Sequence, residues 1–289
     1  MRSEQTMMQL ILDYARSDER VRAVGMNGSR TNPNVPKDMF QDYDIVFLVT
    51  DMDALIEDKS WIDYFGSRII MQTPEVSKLF PPELDGNFSY LMLFTDGNRI
   101  DLTLCPIEKR TNWHRGDKLS IVLLDKDQML EELPAPTDQD YWVKCPSADV
   151  YADCCNEFWW VSTYVAKGLW RQEITYAMDH LNIHVRPMLI KMLEWKVGLD
   201  TDFSLSTGKN GKYLEKYLPE QTWLALMATY PKASYDAVWS ALFLTLDLFR
   251  CTSREVAERL KYSYPLTEDQ NVTAYLERIK QLKPDASKM

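Results

Sequence analysis

The sequence predicts an α+β chain: an N-terminal mixed sheet with flanking helices over residues 1–140, then a C-terminal helical bundle over residues 141–289. Three observations carry this reading. Short apolar runs alternate with helical segments in the front half. A stretch with three prolines, "LPAPTDQDYWVKCPSADVY", reads as a linker. After it the apolar spacing is helical almost throughout.

The elements follow in order. "MMQLILDYA" is an amphipathic helix with Met8, Ile11, Leu12 and Ala15 on one stripe. "VRAVGMNGS" is a strand entering a tight turn, where Gly28 suits an unusual backbone angle. "DYDIVFLV" is the next strand, and "DMDALIEDKSWIDYFG" a helix with a capping acid and a terminal Gly. "RIIMQ", "SYLMLFT" and "RIDLTLCPI" are further strands, the last two joined by the hairpin turn "TDGN". The rear half reads as helices at "DVYADCCNEFWWVSTYVAKGLWRQ", "EITYAMDHLNIHVRPMLIKMLEWKVG", "NGKYLEKYLP", "EQTWLALMATY" and "SYDAVWSALFLTLDLFRCTSREVAERL". Pro187 should kink or divide the second of these.

Composition and charge bound the function. The chain is 45% hydrophobic with nine Trp and fifteen Tyr, which excludes disorder. "ALFLTLDLF" is short and interrupted by Asp247, so no membrane span is expected. Acids flank the first apolar segment, which is no signal peptide. Five cysteines without a C-x-x-C pair read as free thiols in a reducing cytoplasm, where the chain is expected to act, with a monomer favoured. Residues 1–140 hold 15 Lys+Arg and 25 Asp+Glu, a net of −10; the remaining 18 and 18 cancel. So acidic a front half repels nucleic-acid backbones and attracts metal ions or a cationic small molecule.

One local contradiction points to chemistry. The apolar strand Ile45–Val49 begins with two acids, Asp42 and Asp44. Residues two apart in a strand face the same side, so these carboxylates project together. Like charges that close raise a pKa unless a cation neutralises them, and hard cations such as Mg²⁺ prefer carboxylate oxygens. Asp101 lies inside a second apolar strand. If the two strands are neighbours, three carboxylates converge on one point, the layout of a two-metal phosphoryl-transfer site. Upstream, the Gly28–Ser29 turn offers backbone N–H groups and a hydroxyl to phosphate oxygens.

The order strand, Gly-Ser, gap, Asp-x-Asp, strand, then an acid in a later strand resembles the nucleotidyltransferase superfamily. "GSRTN", "FQDYDI", "LFPPEL", "DCCNEFWWVSTYVAKG" and "GKNGKYLEKYL" resemble the bacterial aminoglycoside 6-adenylyltransferases that inactivate streptomycin, over roughly residues 1 to 265. Asn27 departs from that pattern, which usually has an acid before the Gly-Ser. The resemblance implies a nucleotidyltransferase-like N-terminal domain and a helical domain closing the cleft for ATP and a cationic aminoglycoside. It implies transfer of AMP from ATP to a hydroxyl (position 6) of streptomycin, with pyrophosphate released. Asp42, Asp44 and Asp101 are then metal ligands for two Mg²⁺, or Mn²⁺ in their place, with Asp101 nearest the attacking hydroxyl as ligand, general base or both. Gly28, Ser29, Lys209 and Lys212 face the triphosphate. Arg30 joins them or makes a structural ion pair. Glu157, Lys167, Tyr164 and Asp153, with Asp179 behind them, are candidates for the acceptor; His180 and His184 read as a packed or surface pair. Two alternatives stay open: another acceptor (a different aminoglycoside, a lincosamide or a protein), or a non-catalytic nucleotide-binding module.

Overall fold

The computed structural model describes residues 1–82, 85–283, 285 and 286; Glu83 and Leu84 of "LFPPEL" lie outside the described residues. The chain divides into two compact units, Met1–Asp140 and Tyr141–Met289.

The first unit runs α1 (Glu4–Ser17), β1 (Val21–Asn27), β2 (Tyr43–Val49), α2 (Met52–Glu57), β3 (Arg68–Gln72), β4 (Phe88–Phe94), β5 (Arg99–Pro106), α3 (Arg110–His114) and β6 (Ser120–Asp125). Its strands form one mixed sheet in the order β3-β4-β5-β2-β1-β6. β2 and β5 pair in parallel, and every other pair is antiparallel. The "TDGN" hairpin forms, with Phe94 N–H donating to Asn98 O at 2.8 Å and Gly97 in the left-handed region.

Period-two alternation sorts the sheet into two faces. Tyr43, Ile45, Phe47, Tyr90, Met92, Ile100, Leu102 and Leu104 join α1, Trp61 and Phe65 in the main core. The buried stripe of α1 is Met7, Ile11, Tyr14 and Ala15, with Met8 and Leu12 only partly covered. The stripe expected from the sequence is thus rotated toward Met7, because Tyr14 reaches the core by stacking on Trp61 and Phe47. The opposite face holds a smaller apolar cluster of Ala23, Val46, Leu48 and Cys105 under Trp113 and Leu130.

Two expectations need correction, and two elements are new. The helix predicted over 51–66 is two pieces, α2 and a 3₁₀ segment at Ser60–Phe65. Trp61 Nε1 and Tyr90 OH both donate to Leu55 O, at 2.8 and 3.2 Å, and burying Trp61 turns the chain out of the first helix. "NGKYLEKYLP" is helical only at α7, because Asn210 and Gly211 both have positive φ. β6 and the last helix were not anticipated.

The second unit comprises α4 (Ala148–Trp170), α5 (Ile174–Asp179), α6 (Arg186–Asp200), α7 (Leu214–Tyr217), α8 (Glu220–Ala228), α9 (Tyr235–Leu260) and α10 (Leu266–Gln281). A π-turn at His180–Val185 separates α5 from α6 and places Pro187 in the first turn of α6. Proline lacks an N–H there and costs least at that position. The core centres on Phe158 and Phe249, stacked at 3.6 Å between centroids. All five cysteines are free, and Cys154 and Cys155 are buried in α4. Among the described residues no helix is long and apolar enough to cross a membrane.

An ion pair ties α9 to α10. Asp269 is 2% exposed and receives both arms of Arg250 at 2.7 Å and Tyr264 OH at 2.8 Å. Burial pushes its carboxyl up, but the hydrogen bonds from Arg250 and Tyr264 outweigh this and leave it below the usual value. Asp269→Ala is expected to destabilise the protein by about 3 kcal/mol in urea unfolding, at the low end for breaking a buried pair, since Arg250 keeps Asp247. A depressed carboxyl stabilises above its unfolded pKa, so this contribution fades as pH falls below about 4.

Candidate active site

The sheet explains why a core strand opens on two acids. Tyr43, Ile45 and Phe47 take the main-core face, so Asp44 must take the other. In the parallel β2–β5 pair, Asp44 is registered directly with Asp101, and Thr103 and Cys105 follow on the same side. Neighbouring strands lie about 4.8 Å apart, so the two carboxylates are unavoidable neighbours. Asp42 stands one residue before β2. Gly28 opens a 3₁₀ turn straight after β1 with φ +76°, and a Cβ there would collide with Asp44 Oδ2. Only glycine therefore seats the turn against this carboxylate.

The acids perturb one another. Burial, then Asp101, then Asp42 push the Asp44 carboxyl up to about 6. Burial also raises Asp42; Arg99 pulls it back and Asp101 adds to the rise. Arg99, which the sequence reading missed, is the local counter-charge. Its Nε and Nη2 donate to both oxygens of Asp101 at 2.7 Å, and its Nη1 lies 3.5 Å from Asp42. Its only sequence signal was a basic residue two before Asp101, hence on the same face.

The three carboxylates share a face but do not close on one point. Among the described residues no three acid, His or Cys side chains are gathered as a metal cluster, and the Arg99 guanidinium lies between Asp42 and Asp101 instead. The donor set nonetheless fits a hard divalent cation. It offers carboxylate oxygens, and Asp44 is raised by burial and then by its acidic neighbours Asp101 and Asp42.

Asn27 has a structural task. Its Oδ1 accepts from Trp113 Nε1 and Ser120 Oγ, both at 3.1 Å. Trp113 lies flat enough on Gly25 that any Cβ there would overlap its ring. An uncharged amide thus pins β1 to β6 beside Asp44, its partner across β2. The Arg30 side chain is 8% exposed, donates to Asp42 O at 3.0 Å and Gln41 O at 2.7 Å, and stacks on Tyr43 at 3.7 Å. With an ion pair to Glu4 at 3.6 Å, these contacts let Arg30 hold the approach to β2. Ser29 O accepts from Gln41 Nε2 at 3.3 Å, which ties the turn to the same segment.

In the second unit, Lys209 and Lys212 are exposed in a loop where Gly208, Asn210 and Gly211 all have positive φ. Such backbone is strained at Asn210 and persists where surroundings over-determine it. Asp153, Glu157, Trp160 and Tyr164 fall on one face of α4, as their spacing requires. Asp153 and Glu157 are exposed. Trp160 Nε1 donates to Tyr164 OH at 2.9 Å, and Lys167 Nζ sits 4.4 Å over the Tyr164 ring. His180 packs between Tyr164 and Tyr176, with the exposed His184 beside it. A cavity of about 440 Å³ between α4 and α10 is lined by Trp159, Trp160, Lys167 and Glu268. Back in the first unit, a cavity of the same size opens on the acidic face and has Asp101 in its wall.

Comparison with known proteins adds descent to this geometry. A family model described as streptomycin adenylyltransferase matches residues 1–279. An aminoglycoside 6-adenylyltransferase of Bacillus subtilis (strain 168) is 49% identical over 280 residues, covering 96% of this chain and 98% of that protein. The enzyme of that name from Campylobacter jejuni is 47% identical over 280 residues, 97% and 96% of the two chains. One from Staphylococcus aureus is 40% identical over 266 residues, 92% and 94%. A crystal structure of an aminoglycoside 6-adenyltransferase from Bacillus subtilis is 45% identical, covers 98% of this chain and 100% of its own, and superposes with a TM-score of 0.49. With the model spanning nearly every residue and relatives this similar along their whole length, the protein belongs to the streptomycin adenylyltransferase family.

Proposed function

We propose that the protein transfers AMP from ATP to the 6-hydroxyl of streptomycin and releases pyrophosphate. One observation carries the reading: Asp44 and Asp101 are in register on the open face of the sheet, with Asp42 and the Gly28–Ser29 turn beside them. The family relation supports the acceptor class.

In the reaction, the acceptor oxygen bonds to the α-phosphorus, the bond to the β-phosphate bridging oxygen breaks, and pyrophosphate leaves. Asp101 accepts the proton of the attacking hydroxyl. Its oxygens each keep a lone pair beyond those Arg99 engages. Two divalent cations, Mg²⁺ or Mn²⁺, supply charge neutralisation at the triphosphate when bound, and Asp42, Asp44 and Asp101 are the residues that would hold them. Ser29 and the backbone after Gly28 hold the outgoing phosphates, and Lys209 and Lys212 add positive charge to that task. Glu157, Asp153, Tyr164 and Lys167 serve the acceptor.

The test is mass spectrometry of streptomycin, kanamycin and gentamicin after incubation with enzyme, ATP and Mg²⁺. AMP is expected on streptomycin alone, because planar guanidinium groups pair with carboxylates in a way that amines do not. Modified kanamycin with untouched streptomycin would overturn the specificity. Protein that binds Mg-ATP but labels no aminoglycoside would overturn the acceptor class.

A further inference from the structure

The cavity beside Asp101 lies wholly within the first unit and has a composition of its own. Its floor is the acidic face of the sheet, contributed by Ser89, Asp101 and Thr103 on β4 and β5. Its far side is the segment after β3, with Glu75 and Phe80. Glu75 is fixed by its backbone neighbour: Oε2 accepts the Ser89 N–H at 2.9 Å. Among the described residues its Oε1 has no hydrogen-bond partner and the carboxylate has no basic partner. Phe80 is 66% exposed at the same cavity, a large apolar ring that the core does not use.

An oriented, unneutralised carboxylate, an open aromatic ring and hydroxyls at the floor make a specific receptor. A planar cation can lie on the ring while pairing with the acid, and a ring hydroxyl can meet Thr103, whose Oγ1 pairs with the buried Ser89 hydroxyl at 3.0 Å. A ligand here also has Asp101 in the wall, which is what an acceptor hydroxyl needs. We infer that this cavity seats the guanidinium-bearing ring of the acceptor, with Glu75 receiving the guanidinium and Phe80 covering it. This rests on the adenylyl-transfer reading and makes Glu75 and Phe80 determinants of acceptor specificity on the sheet unit, in addition to the acceptor residues on α4.

The test compares Glu75→Gln and Phe80→Ala with wild type, reading KM for streptomycin, kcat, the dissociation constant for Mg-ATP and the melting temperature. Glu75→Gln keeps the acceptor for Ser89 N–H but loses the charge. It is expected to raise KM for streptomycin about tenfold or more, with kcat and Mg-ATP binding within about threefold. Phe80→Ala is expected to raise the same KM about fivefold. Because Phe80 is exposed, that variant keeps its fold and carries the test alone should Glu75→Gln lower the melting temperature. Unchanged KM for streptomycin in a folded variant, with wild type active, overturns this inference and leaves the transfer reaction standing. Wild type that transfers no AMP to streptomycin overturns both.

Discussion

Asp44→Asn is expected to lower kcat for AMP transfer by about 10³ or more while making the metal-stripped protein more stable. The two effects have one cause. Asp44 is buried beside Asp101 and Asp42, and this raises its carboxyl to about 6. A folded value above the unfolded one, near 3.9, means that ionisation costs stability. That cost is absent below pH 4, grows as pH rises through 6 and is then constant at roughly 2–3 kcal/mol. Asparagine removes the charge and with it the cost. It also removes a carboxylate from the set that would hold the cations, and a 10³-fold loss corresponds to about 4 kcal/mol of transition-state stabilisation. Steady-state kinetics and thermal unfolding in EDTA, at pH 5 and pH 8, measure both. The melting temperature of the variant should exceed that of wild type at pH 8 and match it more closely at pH 5. EDTA should abolish wild-type transfer, and added Mg²⁺ should restore it. Full activity in metal-free buffer would sink the mechanism, and an inactive variant that is also less stable would point to misfolding instead.

The acids of this site were readable because a strand has a strict period. Once Ile45 and Phe47 are assigned to the core, Asp44 has no choice of face, and the same holds for Asp101 between Ile100 and Leu102. Which strands are neighbours is a long-range fact, and the β2–β5 register had to come from the fold. Arg99 escaped for that reason: its role depends on β5 lying beside β2, which sets it next to Asp42. Asn27, a departure from the expected pattern, makes sense only with β6 in place to supply Ser120. β6 itself is a half-exposed edge strand, whose weak burial leaves little alternation to detect. The last helix, α10, buries only Leu276, Ile279 and Asp269, the last paired with Arg250 on α9, so its evidence is tertiary. Trp159 and Trp160 show the limit of composition. Adjacent in α4, they point about 100° apart, and one is core while the other is 60% exposed. Glu75 and Phe80 lie in a segment with no periodicity at all, so only the cavity reveals them.

Asp101→Asn is the sharper probe, because it separates two roles that the geometry superimposes. Asparagine keeps the size and polarity of the side chain but accepts no proton at neutral pH. If Asp101 is the base, the variant loses turnover by about 10³-fold or more, and a loss beyond the 10²–10⁴ usual for a general base means that the metal site suffers as well. ATP binding, which precedes proton transfer, should stay within about tenfold, since a transition-state role shows in kcat more than in ground-state affinity. Calorimetry with Mg-ATP on the folded variant makes the measurement. The substitution also breaks the two-armed pairing with Arg99, so a control is needed. Arg99→Gln breaks the same pairing but leaves the carboxylate in place. Should the loss come from the broken pair, both variants lose turnover alike. Should it come from the missing base, Arg99→Gln retains far more activity than Asp101→Asn. Disappearance of ATP binding in Asp101→Asn would make Asp101 chiefly a metal ligand, and the proton would then have to leave the acceptor hydroxyl by way of another group on the same face.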